Sequence, residues 1–264
     1  MKSPRRRLCH RKWILYRELK HCLRFNIADL VEILCPYHKT AFFLILFFIF
    51  FVTHKPCIYR TLPLVTERAF LDIVADGKPL GRIIFGLFGE IAPKAVENFV
   101  SLCKCNKGKA PLTGKDMCYK GSIIHRVIPN FYVQGGDYTH GDGTGGESIF
   151  EGNAFEDESF AVKHNRKYLL NMANDGRHRR NTNRSQWFIN TCKTQWLDGL
   201  NEAFGFVLEG IDTIIEIEKL GTFGGTPTAK IEIKDSGTLP LEPEDAIPYL
   251  VSDRLREPKS IADE

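Results

Sequence analysis

Short runs in which hydrophobic and polar residues alternate follow one another from Glu67 to Lys234. A period of two is typical of a strand with one buried face, and the Gly, Pro, Asn and Asp residues between the runs indicate turns. The pattern predicts strands at residues 70–75, 81–89, 122–128, 131–135, 168–173, 186–191, 204–208 and 230–234. The sequence DGKP at 76–79 predicts a tight turn that joins the first two strands as a hairpin.

Two segments have the period of a helix instead. After Pro93, apolar residues recur three, four, seven and eight positions apart, which places them on one face that can pack on a sheet. They are Ala92, Ala95, Val96, Phe99, Val100 and Cys103. Residues 211–220 predict a second helix. Many short antiparallel strands with two isolated helices favour a mostly β barrel over residues 67–239, because closure removes open sheet edges.

An uncharged run, AFFLILFFIFFV at 41–52, precedes this domain. Twelve residues rise about 18 Å in a helix, which is short for a hydrocarbon core of roughly 30 Å and typical of the apolar region of a signal peptide. No small-x-small cleavage site follows, so residues 41–53 are interpreted as a signal segment or as a single-pass signal anchor that binds the membrane through Ala41–Val52. A buried core helix is the alternative. Residues 54–66 are a linker.

Charge is distributed unevenly along the chain. Residues 1–64 hold 12 Lys and Arg against 3 Asp and Glu, whereas residues 65–264 hold 24 against 29. A basic tail at 1–40 beside an apolar run predicts a cytosolic tail and a luminal or extracellular domain, in the secretory pathway or anchored to a membrane. Because residues 1–25 are rich in arginine, targeting to an organelle is the alternative. This orientation explains the basic residues without a nucleic-acid partner. Residues 240–264, with seven acidic and three basic residues, predict a disordered tail.

The eight cysteines follow no zinc-binding spacing, and no metal site is predicted. Cys105 and Cys118 flank an insertion rich in Gly and Lys, which suggests a disulfide if the domain is luminal; unpaired buried thiols are the alternative. The GTGG sequence at 143–146 lacks a Walker lysine and opens no predicted helix, so it is interpreted as a turn and no nucleotide cofactor is expected.

The sequence GSIIHRVIPNFYVQGGD at 121–137 resembles the strand motif of the cyclophilins, a family of peptidyl-prolyl cis-trans isomerases, with Ile124 where the family has phenylalanine. The resemblance extends over about 69–239 through GDGTGGESIF, FEDE, LLNMAN, NTNRSQWFI and WLDG. It implies a closed eight-stranded antiparallel barrel capped by two α-helices. It also implies rotation of X-Pro peptide bonds in folding polypeptides without a metal or cofactor. Cyclosporin-like cyclic peptides are a further expected ligand class.

Carried over by motif, the resemblance implies that Arg126 is the donor to the amide nitrogen and that Phe131 and Gln134 complete the catalytic set. Arginine stays protonated at ordinary pH, which suits a permanent donor. The residues implied to bind substrate are Tyr132, Gly143, Ala173, Asn174, Asp175, Gln186, Phe188, Trp196, Leu197 and Asn201. Among them, Phe188 and Leu197 line the proline site, and Trp196 stands at its rim.

The chain departs from the family pattern at the implied pocket. Tyr132 replaces a usual methionine, Asp175 an alanine, Arg184 a glycine and Asn201 a histidine, and residues 176–180 are inserted. The insertion is interpreted as a solvated loop, or as an element that selects acidic clients. Retained Arg126 favours an active isomerase. The other changes keep a second hypothesis open, a membrane-tethered proline-binding module with weak or no catalysis.

Overall fold

The computed structural model describes residues 63–175 and 180–246, and eight strands and two α-helices lie within them. The strands are β1 (Glu67–Ala75), β2 (Lys78–Leu87), β3 (Arg126–Ile128), β4 (Tyr132–Gly135), β5 (Leu169–Met172), β6 (Trp187–Asn190), β7 (Ala203–Glu209) and β8 (Ile231–Leu239). The helices are α1 (Pro93–Lys104) and α2 (Ile211–Lys219). Short 3-10 helices span Gln195–Leu197 and Pro243–Ala246. Each predicted strand and helix is present, with shifts at the ends.

The strands form one antiparallel sheet in the order β3-β4-β6-β5-β7-β2-β1-β8. The predicted closed barrel was wrong for this ladder: β3 and β8 are its two edges, and the sheet is an open half-barrel. The reason is that β3 has only three residues and pairs with β4 alone. The segment before it, 121–124, bonds to β8 without a continuous ladder, as when the Ile124 amide donates to the Ile231 carbonyl at 3.0 Å.

Aromatic side chains fill the space between the sheet and α1. The Trp187 ring is fully buried, and its centroid lies 6.3 Å from that of Phe99 and 6.5 Å from that of Phe85, both edge-on. Edge-to-face packing of this kind adds to the stabilisation from buried area. Because side chains alternate along a strand, the burial of Trp187 and Ile189 forces Phe188, between them, onto the opposite face of β6. That face carries the candidate site.

Cys105 and Cys118 form a disulfide that closes the loop after α1, with their Cα atoms 4.4 Å apart. The pairing suggested by the sequence is thus confirmed. Cys105 ends the helix in a left-handed conformation, with φ of 55°, and this brings its side chain back toward Cys118. Cys103 is a free thiol, and burial raises its pKa well above the ordinary value, so it stays protonated and unreactive.

Reducing this disulfide is expected to lower the free energy of unfolding by about 3 kcal/mol, because a loop of roughly 15 residues is released in the unfolded chain. Urea unfolding with and without dithiothreitol measures the difference. A Cys105→Ser/Cys118→Ser variant should unfold like the reduced protein and respond no further to reductant. Equal stability of the wild type in both conditions, or peptide mapping that finds both thiols free, would contradict the bond.

Glu202 is a fully buried residue with a carboxyl group, and it stands directly before β7. Burial raises its pKa to about 7, an increase that the backbone hydrogen bonds it accepts from Glu158 and Ser159 only partly offset. The folded protein therefore keeps this proton over a range of pH in which the unfolded chain, with an ordinary pKa near 4.5, has lost it. The resulting stabilisation is fully present below pH 4.5 and is lost as the pH rises through about 7.

Glu202→Gln is accordingly expected to flatten the dependence of stability on pH. Relative to this variant, the wild type should lose up to about 3 kcal/mol of unfolding free energy between pH 4.5 and 8. Chemical unfolding of both proteins at several pH values gives the comparison. Parallel profiles for the two proteins would show that Glu202 does not titrate in this range.

The beginning of the predicted acidic tail packs on the domain. Arg68 on β1 is buried, and its guanidinium contacts Glu209 at 3.2 Å, Glu242 at 3.1 Å and Asp245 at 3.7 Å. The predicted disorder therefore does not extend to residues 240–246, which include the final 3-10 helix. Residues 247–264 lie outside the described part of the chain and keep their prediction.

The basic tail, the apolar run at 41–52 and most of the linker, to residue 62, also lie outside the described residues. Within residues 63–175 and 180–246, no helix is long and apolar enough to cross a membrane.

Candidate active site

Three neighbouring strands bring the central side chains of the site together. In the ladder Arg126 on β3 is opposite Gln134 on β4, and Gln134 is opposite Phe188 on β6. The flanking pair Val127 and Val133 is fully buried on the other face. Because burial fixes which face points inward, the register places arginine, glutamine and phenylalanine side by side on the outer face.

A cavity of about 610 Å³ opens over this face. It is lined by Arg126, Phe131, Tyr132, Gln134, Gly143, Thr144, Gly145, Ala173, Asn174, Asp175, Thr182, Arg184, Gln186, Phe188, Leu197 and Asn201. Twelve of the thirteen residues predicted from the sequence are in this lining; the exception is Trp196. Its indole is 60% exposed, and its ring centroid lies 5.8 Å from that of Phe131, at the edge of the cavity.

Four lining residues were not among the predicted site residues: Thr144, Gly145, Thr182 and Arg184. Thr144 and Gly145 follow Gly143 directly. Arg184 stands two residues before Gln186, and this spacing of two along an extended segment was the available signal for it.

Two glutamines connect the strands to the glycine-rich turn at 143–146. The Gln186 side-chain amide donates to the carbonyls of Gly143 at 2.9 Å and Gly145 at 2.8 Å, and its own carbonyl accepts from Gln134 Nε2 at 2.9 Å. These bonds fix the orientation of both side-chain amides. These hydrogen bonds connect β4, through Gln186, to the glycine-rich turn that forms one wall of the cavity.

The Asp137 carboxylate accepts hydrogen bonds from backbone amides in and just before the same turn. Its Oδ1 accepts the His140 amide at 2.9 Å, and its Oδ2 accepts the amides of Gly143 at 2.9 Å and Gly145 at 3.0 Å. Burial by itself would raise the pKa of Asp137, but these bonds and that from Thr139 lower it to about 2, so it is ionised at all ordinary pH values. Asp137, His140 and Asp142 have possible metal-binding atoms within 4.8 Å of one another. Since both Asp137 oxygens already accept N–H donors, the structural role explains the carboxylate.

Arg126 is one of two cations that line the cavity, the other being Arg184. Its guanidinium carbon lies 5.6 Å from the Tyr132 ring centroid, and no acidic side chain of the described residues forms an ion pair with it. An exposed guanidinium without a carboxylate partner retains its N–H donors for a ligand. Burial raises the pKa of Tyr132, which therefore stays neutral beside it. Burial likewise lowers the pKa of the neighbouring His125, so this imidazole is neutral at neutral pH.

The apolar part of the cavity is built from rings and one leucine. The Tyr132 ring centroid lies 4.4 Å from that of Phe131 and 5.6 Å from that of Phe188. Leu197 comes from the 3-10 helix, which Asp198 anchors at its end: the fully buried His164 contacts that carboxylate through Nδ1 at 2.9 Å. These residues form an apolar depression, and the same cavity is lined by the Arg126 guanidinium and by the side-chain amides of Gln134 and Gln186.

Asn174 and Asn201 line the cavity, and their side-chain amides donate hydrogen bonds to backbone carbonyls. The Asn174 side chain donates to the Leu200 carbonyl at 2.9 Å, and that of Asn201 donates to the Met172 carbonyl at 3.1 Å. Both amide nitrogens therefore hold the loop at 197–201 against the end of β5. Asp175 forms an ion pair with Arg184 at 3.2 Å at the same side of the cavity. In the insertion, residues 176–179 lie outside the described part of the chain.

Gly225 packs against the side chain of Arg126. Its φ is +93°, and a Cβ built there would lie 2.9 Å from Arg126 Cγ and 3.0 Å from Arg126 Nε. The carbonyl of Gly225 also accepts the Val127 amide at 2.7 Å, which ties the loop to β3. The arginine stem thus lies directly on bare backbone.

Gly225→Ala is expected to displace the Arg126 guanidinium and to lower the isomerase activity that the sequence resemblance implies by about tenfold, since small misplacements of a catalytic group are costly. Gly224→Ala is the matched control, because the nearest atom to a Cβ there is Thr222 Oγ1 at 3.8 Å. Isomerisation kinetics of both variants, with melting temperatures to correct for folding, measure the effect. Equal loss in the two variants would mean that Gly225 does not act through Arg126.

Known proteins are similar to this chain in sequence over most of the described domain. The family model for cyclophilin type peptidyl-prolyl cis-trans isomerases matches residues 70–238. The NK-tumor recognition proteins of Homo sapiens and Mus musculus are 48% identical over 173 residues, which make up 65% of this chain and 12% of those proteins. The peptidyl-prolyl cis-trans isomerase CYP21-1 of Arabidopsis thaliana is 45% identical over 177 residues, or 67% of this chain and 77% of that protein. The chain thus spans about an eighth of the NK-tumor recognition proteins and most of the plant protein.

Proposed function

The chain belongs to the family of cyclophilin-type peptidyl-prolyl cis-trans isomerases, and on that premise we propose that it catalyses rotation about X-Pro peptide bonds in polypeptide clients. The observation that carries the proposal is the position of Arg126, a cation with no carboxylate partner among the described residues, beside an apolar depression in one cavity. Such a site fits an apolar ring next to a polar, twisting amide.

The physical requirement of the reaction matches these groups. Rotation about a peptide C–N bond faces a barrier of about 18 to 20 kcal/mol, because resonance keeps the amide planar. In the twisted state the resonance is lost and the nitrogen becomes pyramidal and basic. A donor aimed at this nitrogen therefore stabilises the transition state more than either planar ground state. In our proposal the Arg126 guanidinium supplies that donor, and no proton needs to leave the protein.

The remaining groups hold the substrate while the bond turns. Phe131, Phe188 and Leu197 form the floor and wall for the proline ring, where burial of apolar surface supplies binding free energy. Gln134 and Asn174 hold the flanking backbone through their amide groups, and Trp196 covers the rim with an indole N–H that can donate. Cyclosporin-like cyclic peptides, with their apolar side chains, would occupy the same depression.

A second candidate function is a proline-binding module without useful turnover. The observation in its favour is Tyr132, whose ring lies 5.6 Å from the Arg126 guanidinium and competes with a substrate amide for it. Exchange spectroscopy by NMR on an X-Pro peptide separates the two functions. An isomerase produces exchange peaks between cis and trans resonances at substoichiometric protein, whereas a binding module shifts the resonances without exchange.

The compartment is proposed to be the secretory pathway, or a membrane with the domain on its luminal or extracellular side. The Cys105–Cys118 disulfide supports this location, because disulfides persist in oxidising compartments and are rare in the cytosol. The basic tail and the run Ala41–Val52 supply the membrane contact in this proposal. Protease protection of the domain in sealed microsomes, lost on addition of detergent, would support it; complete digestion without detergent would contradict it.

A further inference from the structure

One end of the cavity carries a pair of opposite charges that the isomerisation chemistry does not use. Arg184 and Asp175 both line the cavity, and Arg184 Nη2 lies 3.2 Å from Asp175 Oδ2. Two glutamines link the pair to the Arg126 end: Gln134 is opposite Arg126 in the ladder and bonds to Gln186, which lies two residues after Arg184.

The backbone of each residue in the pair takes part in a hydrogen bond. The Arg184 carbonyl accepts from Asn98 Nδ2 of α1 at 2.8 Å, and the Asp175 amide donates to Thr182 Oγ1 at 3.2 Å. The side chains of Arg184 and Asp175 are 32% and 33% exposed. A partly exposed guanidinium on a hydrogen-bonded backbone can meet a ligand without rearrangement of the chain.

Arg184 shares one face with the proline site. Arg184, Gln186 and Phe188 all line the cavity, whereas Ser185 and Trp187 between them are fully buried on the other face. At about 3.3 Å per residue, Arg184 lies up to about 13 Å along the chain from Phe188. An extended client with its proline over Phe188 therefore places a residue three or four positions away at Arg184.

The existing ion pair is weak enough to be exchanged. It rests on one nitrogen between partly exposed side chains, and such pairs contribute about 0 to 1 kcal/mol. A guanidinium can bind a carboxylate through two parallel hydrogen bonds, which are stronger than a single contact. Because the cavity lining holds two cations, Arg126 and Arg184, against one anion, the local field favours an incoming acidic side chain over a basic one.

We propose that Arg184 is a specificity-determining residue that selects clients with Asp or Glu three or four residues from the proline, and that Asp175 competes for the same guanidinium. The proposal rests on the proposed function of the cavity and names the substrate class that it prefers. The selectivity follows from charge, so it weakens in high salt.

The test uses the full chain and a series of peptides that share the same X-Pro dipeptide. Each peptide carries Glu, Gln or Lys at one position, two to five residues before or after the proline. The measured quantity is the ratio of kcat/KM for the Glu and Gln peptides. At one position, three or four residues from the proline, we expect a ratio of about 3 to 10, which falls to 1 in Arg184→Gln and rises in Asp175→Asn. Arg184→Glu should prefer the Lys peptide.

Arg180→Gln is the matched control, because Arg180 is exposed, donates to the Gly199 carbonyl and is absent from the cavity lining. It should keep the wild-type ratio. The same ratio in the wild type and Arg184→Gln at every position would overturn the proposal. Dissociation constants of the same peptides are measured in parallel. If no peptide is isomerised, the proposed catalysis fails, while the Glu-to-Gln ratio of the dissociation constants still decides the role of Arg184.

Discussion

Arg126→Ala is expected to lower kcat/KM for X-Pro isomerisation by about 100- to 1000-fold, the range found when one preorganised donor is removed from a transition state. Arg126 is exposed and forms no ion pair with the described residues, so its loss removes a donor without leaving a carboxylate unpaired. Arg126→Lys keeps the charge but loses the planar fork, and should give an intermediate rate. Exchange spectroscopy or a coupled assay on a tetrapeptide measures these rates.

The matched control for this change is Arg82→Ala. Arg82 is an arginine on β2 that binds Asp72 through two hydrogen bonds, of 2.6 and 2.7 Å, and it is not in the cavity lining. It should retain full activity, and both variants should melt within a few degrees of the wild type. A wild-type rate in Arg126→Ala would show that this guanidinium is not the donor. An equal loss of activity in both variants would indicate a general effect on the fold.

Arg68→Met is expected to reduce the free energy of unfolding by about 3 to 5 kcal/mol, the usual cost of removing one partner from a buried ion pair. The Arg68 side chain is 7% exposed and that of Asp245 only 4%, so the substitution removes a buried cation from beside a buried carboxylate. The segment 240–246 is then expected to detach from β1, because three of its contacts, to Pro240, Glu242 and Asp245, depend on this guanidinium.

Urea unfolding gives the change in stability, and amide hydrogen exchange of residues 240–246 reports detachment of the segment. Glu209→Gln is the control: Glu209 contacts the same guanidinium but is 64% exposed, so its loss should cost less than about 1 kcal/mol. Unchanged stability in Arg68→Met, or unchanged protection of the segment, would show that the tail is held by other contacts.

Local pattern was enough to predict the strands and helices because burial on one face imposes a period of two or of 3.6. The first and last residues of each strand depend instead on tertiary contacts. The strand predicted at 122–128 enters the ladder only at Arg126, and β8 extends to Leu239 because its mixed polar residues pair with β1. Closure of the barrel required β3 and β8 to pair, which depends on strand length and register rather than on composition.

Most of the candidate site came from motif resemblance, since spacing alone cannot show that Asn174 and Arg126 line one cavity. The ion pair of Arg184 with Asp175 joins positions nine residues apart around the insertion, and only the folded loop brings them together. Contacts of Arg68 across more than 140 residues were likewise beyond any local pattern. The chemistry of single residues could be inferred from sequence, whereas their pairing required the fold.

Above all, we propose that the chain catalyses rotation about X-Pro bonds. The most direct test is the cis-to-trans rate of an X-Pro tetrapeptide as a function of the concentration of the full chain. We expect the rate to increase linearly with protein concentration above that of the uncatalysed process, which takes about 10 to 100 s. A rate that stays at the uncatalysed value, with a folded protein that still binds the peptide, would contradict it and leave the proline-binding module.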